Sequence, residues 1–371
     1  MKDQAASIAD RLFRDVQATI DFPKLARGEF EGLRQLKGWL TDNRSKRPGG
    51  YMQNDKHLSA YLFYYFSLHL AETYWVLEHS GLPSAGTGDK KPLRVLDIGA
   101  GPGTASLSLL LWNATQKTPR PVEFHLLDRS KKALAWAKKE IMSLAPNSKV
   151  VFYDEIWGHR TLKHLATIES FDVVLMSHFL NEFGNGPRHR EPKQQLVEEA
   201  SSLLAEEGRL VVIEPPLKEP TMDIMWLRDQ IAFAGPAGEL VVKAPCPQSR
   251  RGCPMLRDHL GWCYTQVPRS FARERGLAQL DRHIERAMDS QIRTMGFSYV
   301  VIARDAADSG EGRDWTIQIS EGRPRAELLC EPSAQVGRSN RSAGRDESDA
   351  FHRGSYLDLE GKTPKYSART K

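Results

Sequence analysis

Two groups of residues in this 371-residue chain have types and spacings suited to chemistry. The first is Gly99, Gly101 and Gly103, which follow Val95-Leu96-Asp97-Ile98. The apolar residues suit a buried parallel strand. Glycines at alternate positions let the backbone turn tightly and come close to a ligand. Thr104 can then cap a helix through Leu107, Leu110 and Leu111. A strand, a glycine turn and a helix N-terminus together make a nucleotide-type site. The spacing departs from Gly-x-Gly-x-x-Gly, which weakens a dinucleotide reading. The second group is Cys246, Cys253, Cys263 and Cys330, all the cysteine in the chain. Three thiols share one irregular stretch, and the fourth ends a later candidate strand. Four thiolates can complete a 4Fe-4S cluster or a zinc site. The chain has no short Cys-x-x-Cys knuckle, and the Cys246-Pro247 and Cys253-Pro254 pairs tilt the spacing toward a cluster. Zinc and unrelated buried thiols stay open as alternatives.

Further candidates lie where later strands end. Asp128 closes an apolar run 31 residues beyond Asp97 and suits the two ribose hydroxyls of an adenosine. Asp154 ends the next run, near where an adenine edge would lie, although an acid there can equally cap a helix. The stretch Phe171 to Phe183 carries Ser177, His178, Asn181 and Glu182 at its carboxyl end, with His178 or Glu182 as the candidate base. Glu214-Pro215-Pro216 ends a fifth run. Pro245-Cys246 resembles the nucleophilic Pro-Cys of RNA 5-methylcytosine methyltransferases. It lies past the fifth strand rather than the fourth, which argues against that role. The Asn-Pro-Pro-aromatic signature of exocyclic-amine methylation is missing.

These residues need a framework. Candidate strands at 93–98, 122–127, 149–153, 171–176 and 209–213 alternate with helical patterns, notably 131–144 and 194–204. That alternation implies parallel crossovers in an open doubly wound α/β sheet. Ligands in such sheets bind beyond the strands' carboxyl ends, where the strand order switches. Helical periodicity at 1–20, 30–40 and 55–80 predicts a helical N-terminal region. Its aromatics Tyr61, Phe63, Tyr64, Tyr65, Phe66, Tyr74 and Trp75 suit packing against the domain behind. Residues 243–270 show little periodicity and read as a loop that something else must order. Helical spacing returns at 277–288, and 297–303 and 326–329 read as closing strands. The domain boundaries expected are 1–90, 91–335 with a cysteine-rich insertion at 240–295, and a polar tail at 336–371 read as disordered.

Composition narrows the class. The hydrophobic fraction of 40% and charged fraction of 27% fit a soluble globular protein. No apolar run reaches the length of a membrane span, and the N-terminus has no signal-peptide pattern. A cytoplasmic monomer with no membrane partner is the expectation. The net charge of +5 falls within 243–371, and residues 243–304 hold 11 Lys or Arg against 5 Asp or Glu. That local excess suits an anionic partner such as RNA, or simply a solvated surface.

Asp97 followed by alternating glycines resembles motif I of class I S-adenosylmethionine-dependent methyltransferases. The wider series VLDIGAGPG, LLDRS, FDVVLMSHFLNEF, VVIEPP, APCP, GCPM, GWCY, FSYVVIAR and LLC resembles the methyltransferase-like proteins of mitoribosomal small-subunit assembly and their bacterial relatives, over about residues 50–332. The resemblance implies a Rossmann-like class I methyltransferase fold. It implies S-adenosylmethionine held by Asp97, Gly99, Gly101, Gly103, Asp128 and Asp154. It also implies a 4Fe-4S cluster on Cys246, Cys253, Cys263 and Cys330. The implied partner is small-subunit rRNA, not DNA, during assembly or translation. Catalysis of methyl transfer, a catalytically inactive assembly factor, and a small-molecule methyltransferase with a zinc site are the functions to separate. Two departures bear on the substrate side: Glu214-Pro215-Pro216-Leu217-Lys218 stands in place of Glu-Pro-Gly-Thr-Pro, and Phe66-Ser67 in place of Arg-x-Pro.

Overall fold

The computed structural model describes residues 2–20, 30–40, 50–82, 91–154, 170–233, 240–246, 252–257, 261–268, 270–287 and 294–304, the single positions 48, 161, 165 and 167, and the strand backbones at 315–320, 326–330, 336–338 and 356–357. Among the described residues three helices come first: α1 (Lys2–Thr19), α2 (Phe30–Leu40) and the long α3 (Asp55–His79). An alternating series follows: β1 (Leu93–Ile98), α4 (Thr104–Ala114), β2 (Val122–Leu127), α5 (Lys131–Leu144), β3 (Lys149–Tyr153), β4 (Phe171–Ser177), α6 (Arg190–Ser202), β5 (Leu204–Glu214) and α7 (Lys218–Phe233). The chain continues through β6 (Leu240–Ala244), α8 (Pro254–Arg257), β7 (Cys263–Pro268), α9 (Phe271–Glu274), α10 (Ala278–Ala287) and β8 (Thr294–Arg304). Four more strands are β9 (Trp315–Ser320), β10 (Ala326–Cys330), β11 (Val336–Arg338) and β12 (Tyr356–Leu357). The last two fall in the stretch read from sequence as a disordered tail; most of that stretch lies outside the described residues.

The strands run in the order β3-β2-β1-β4-β5-β8-β7-β9-β10-β11. The first five are mutually parallel, and β8 is antiparallel to β5. This is the doubly wound class I methyltransferase architecture expected. Because β1 lies between β2 and β4, the crossovers leave β1 in opposite directions, and a crevice opens beyond the carboxyl ends of β1 and β4. Side chains alternate between the two faces. Val95 joins the core formed with α1 to α5, whereas Leu96 and Ile98 join the core beneath α6 and α7.

The aromatic residues of α3 tie the N-terminal helices to this sheet. Phe66 meets Phe13 of α1 and Trp136 of α5, with ring centroids 6.1 and 5.5 Å away. Trp75, wholly buried, meets Phe297 and Tyr299 of β8 edge-on. Among the described residues no helix is long and apolar enough to cross a membrane.

The stretch 243–270 departs from the loop expected. It holds β7, and β6 ends inside it; both pair with the same edge of β8. Ala244 lies opposite Val301, and Thr265 opposite Phe297. Prolines and cysteines stand at or just beyond the ends of these short strands, Pro245-Cys246 after β6 and Cys263 and Pro268 at the ends of β7, and the edge of β8 supplies their order.

Candidate cofactor cleft and sulfur site

The crevice beyond β1 and β4 contains a cavity of about 60 Å³ lined by the glycine turn, Asp97, Asp128, Arg129, Ser177, His178 and Glu182. The three glycines all have positive φ, between 52° and 74°, so each suits glycine for backbone reasons. Their surroundings divide the work. A Cβ on Gly99 would lie 2.3 Å from the Phe179 ring, and one on Gly103 would lie 2.8 Å from the Ala137 Cβ. These two positions let the turn seat against its neighbours. A Cβ on Gly101 would face the cavity, with Met52 Sδ its nearest neighbour at 3.5 Å. Gly101 alone of the three therefore keeps space open for a ligand.

Thr104 does not cap α4 as expected. Gly103 occupies the N-cap and has no side chain to offer. Asp97 takes over from the end of β1: its carboxylate accepts from Ser106 Oγ at 2.7 Å and from the Ser106 amide at 3.2 Å. Burial pushes its pKa up to about 7; the Ser106 bonds oppose that rise and the nearby Asp128 adds to it. Asp128 accepts from the Gly101 amide at 2.9 Å and the Ser130 amide at 2.7 Å, so it braces the turn from the second strand. Burial raises its pKa also. A carboxylate offers about four lone-pair sites, so these bonds leave Asp128 capacity for a ligand hydroxyl.

Two acidic candidates are already paired. Glu182 meets Arg129 at 3.2 Å on the cavity wall. Asp154 stands at the end of β3, outside the cavity lining, with Lys131 at 2.7 Å. His178, just past β4, lies 3.0 Å from Glu72 Oε2 and stacks on His69 at 3.6 Å between centroids. Asn181 donates to Glu214 at 2.7 Å and to the His178 carbonyl at 2.9 Å, locking the ends of β4 and β5 together.

Several lining residues come from the N-terminal region and escape a sequence reading: Gly50, Tyr51, Met52 and Tyr61. Tyr61 Oη lies 3.3 Å from Thr104 Oγ1. Its sequence signal is that of a core aromatic, and only the docking of α3 on α4 gives it a polar neighbour.

The sulfur site lies along β8. The end of β6 and the start of β7 face each other across a gap on one edge of β8, and there Cys246, Cys253 and Cys263 line a cavity of about 30 Å³ with Arg228, Ser298 and Tyr299. Burial, and Cys246 nearby, push the Cys253 thiol up to about 12. Arg228 is buried and donates to Asp229 at 2.7 Å, and the same Asp229 oxygen accepts from the Cys253 amide at 2.7 Å. Cys330 ends β10, two strands beyond β7, and its side chain lies outside the described residues. Cys263 pairs with Ser320 on β9 and Cys330 with Thr316, four residues along the same strand.

β8 borders the sulfur site alone, and β5 links it to the end of β4: Glu214 accepts from Asn181 at 2.7 Å. Ser298 pairs with Glu214 across β5, and its hydroxyl donates to the Glu214 carbonyl at 3.3 Å, while Ser298 also lines the sulfur cavity.

A family model described as mitochondrial small ribosomal subunit Rsm22 matches residues 59–333, from α3 to just beyond β10. The chain belongs to the Rsm22 family. The matched stretch takes in the glycine turn and all four cysteines. Among solved structures, the plantazolicin methyltransferase BpumL, in complex with a pentazolic desmethylPZN analog and SAH, is 13% identical with a TM-score of 0.36, over 82% of this chain and 100% of that one. A putative rRNA methylase from Clostridium thermocellum is 11% identical with a TM-score of 0.34, over 64% and 97%. Precorrin-6y C5,15-methyltransferase from Geobacter metallireducens GS-15 is 12% identical with a TM-score of 0.33, over 62% and 85%. No curated protein sequence matches this Rsm22-family chain.

Proposed function

We propose that this Rsm22-family protein binds S-adenosylmethionine in the crevice beyond β1 and β4, carries a 4Fe-4S cluster on its cysteines, and acts on small-subunit rRNA during ribosome assembly. The cavity walled by Gly101 and Asp128 at the switch in strand order is the observation that carries the reading. The bound cofactor would supply an electrophilic methyl group on a sulfonium. Gly101 leaves room for it, Asp128 offers acceptors to ribose hydroxyls, and Asp97 places acidity beside a cationic ligand. Methyl transfer from a sulfonium needs mainly in-line placement. His178 is held by Glu72 and Glu182 by Arg129, and because in-line placement suffices for this transfer, positioning is the role this reading gives them.

The donor set at the sulfur site fits a metal cluster. Three thiols meet at one cavity, and a thiol held protonated by burial ionises readily once a cation shares its space. The buried Arg228 guanidinium offsets the charge of an anionic thiolate-bound cluster. The cluster would pin β6, α8 and β7 against β8. Its role in this reading is structural, because ligation that orders a segment contributes folding free energy.

Calorimetry with S-adenosylmethionine tests the crevice: binding that Asp128→Ala weakens at least tenfold is expected, and no binding to the wild type removes the methyltransferase reading. Iron and sulfide analysis tests the sulfur site. Cys253→Ser should abolish the brown chromophore, and colourless protein with stoichiometric zinc would replace the cluster with a zinc site. Cys330→Ser is the discriminating variant, because the strand register separates it from Cys263: retained colour would remove Cys330 from the ligand set. Crosslinking in cells should recover small-subunit rRNA, and its absence would favour a small-molecule substrate.

A further inference from the structure

We propose that His69, Glu72 and His178 form a binding site for one divalent first-row transition-metal ion, at the wall of the cofactor crevice. The site is separate from the cysteines and does not depend on the cofactor reading.

His69 and Glu72 stand three residues apart on α3, so they share a face of that helix. His178 comes from the far side of the crevice, just beyond β4. One donor atom from each of the three lies within 4.8 Å of the other two. His178 Nε2 and Glu72 Oε2 are 3.0 Å apart. Two ligands at roughly 2.1 Å from one ion, subtending a right angle, stand about 3 Å apart.

The surroundings prepare these groups for ligation. His69 and His178 stack with ring centroids 3.6 Å apart and planes 18° from parallel, so their in-plane lone pairs run side by side and ligation of a shared ion tilts one ring out of the stack. His69 Nδ1 lies 3.0 Å from Tyr61 Oη, which in turn lies 3.3 Å from Thr104 Oγ1. With Nδ1–H donating to Tyr61, Nε2 is the free donor, and the hydroxyl orients the ring as outer partners orient histidine ligands. Glu72 is buried, and an anionic carboxylate there gains from a cation. His178 is the one non-glycine residue with positive φ, 56°, among the described residues. Its amide donates to the Ile213 carbonyl at 2.7 Å and its carbonyl accepts from Asn181, so this unusual backbone is clamped on both sides. The clamp aims the imidazole at α3.

Two imidazoles and one carboxylate select the ion class. Nitrogen donors favour zinc or ferrous iron over magnesium or calcium, which take oxygen ligands. Three protein ligands leave coordination positions open, the pattern of reactive rather than closed structural sites. His178 also lines the cavity, which puts those positions within reach of a bound ligand.

Cobalt(II) titration of the full-length, chelator-stripped protein separates the two metal sites. Thiolate ligation gives strong sulfur-to-cobalt charge-transfer bands beside its d–d bands, whereas histidine and carboxylate ligation adds d–d intensity without charge transfer. Wild type should show both components. His69→Ala and Glu72→Gln should each remove the added d–d intensity, lower the stoichiometry by one ion per chain and leave the charge-transfer bands intact. An ion count that neither variant lowers, or a wild type that binds no cobalt beyond the thiolate-ligated ion, overturns the site. Should the variants fail to fold, zinc-edge absorption of zinc-loaded wild type decides: imidazole scattering supports the site, and a sulfur-only shell overturns it. Neither readout depends on S-adenosylmethionine, so failure here leaves the calorimetric test of the crevice untouched.

Discussion

At the scale of single residues, the glycine turn divides packing from binding. Gly99→Ala and Gly103→Ala each force a side chain into the left-handed region and against a neighbour. Each should destabilise the fold by roughly 2–4 kcal/mol, read from denaturant midpoints. Gly101→Ala meets only the far end of the flexible Met52 side chain at ordinary contact distance, so its cost should stay near the ~1 kcal/mol of backbone strain while ligand affinity falls. Equal losses of stability at all three positions would refute that division. Asp97 gives a pH signature. Its carboxyl, ordinarily at 3.8, is pushed up to about 7 in the folded protein. The native state then binds this proton more tightly than the unfolded state. Its contribution to stability is present below about pH 4 and is lost as pH rises through 7. Asp97→Asn should flatten the stability–pH curve across that window. A cationic ligand beside Asp97 should also release a proton on binding near neutral pH, visible as a binding enthalpy that changes with the buffer's ionisation heat.

At the scale of elements, legibility follows the range of the interactions. The β1 turn and the acids ending β2 and β3 are plain in sequence, because a strand and its turn are local, whereas the cap of α4 is not, since Asp97 reaches it from across the turn. The five parallel strands read out for a similar reason, each carrying a short apolar stretch such as Val150-Val151-Phe152 or Val173-Val174-Leu175-Met176. β6 and β7 are not legible, because Pro245, Cys246, Cys263 and Pro268 bound them closely and each takes its order from pairing with β8. The cysteine series was legible as a set, and the structure brings Cys246, Cys253 and Cys263 to one cavity. The His69, Glu72 and His178 group was not, because α3 reads as a buried aromatic helix and its polar residues meet β4 only after docking. The sulfur site should anchor its elements: in Cys253→Ser, amide exchange in β6 and β7 should speed up at least tenfold while β1 and β2 keep wild-type protection. Uniform protection across all four strands would show that the thiols stabilise nothing locally.

At the scale of the whole molecule, the N-terminal helices form one wall of the crevice as well as a cover for the sheet. Met52 and Tyr61 line the cavity, and Trp75 inserts against β8. Trp75→Ala should cost roughly 3–5 kcal/mol, measured by chemical denaturation. Because α3 both braces the sheet and walls the cavity, the same variant should also weaken ligand binding. Retention of full affinity at a matched folded fraction would separate the two roles. The basic excess over 243–304 lies in the part of the chain that carries the sulfur site. RNA affinity that rests on it should fall steeply and linearly on a log–log plot against salt.

β8 has a consequence for the order in which this protein takes shape. Its partners include β5, some ninety residues earlier in the chain, and β6 and β7, which come shortly before it. Residues 93–214 contain all five parallel strands and the glycine turn, so the crevice floor can assemble during synthesis from nearby contacts. The far edge of β5 stays bare until residue 304 has emerged, and a bare edge strand invites wrong partners. Capture of that edge by β8, and closure of the sulfur site beside it, is then the late step. A nascent chain stopped short of β8 should need a chaperone's shelter, whereas one extended past it should not.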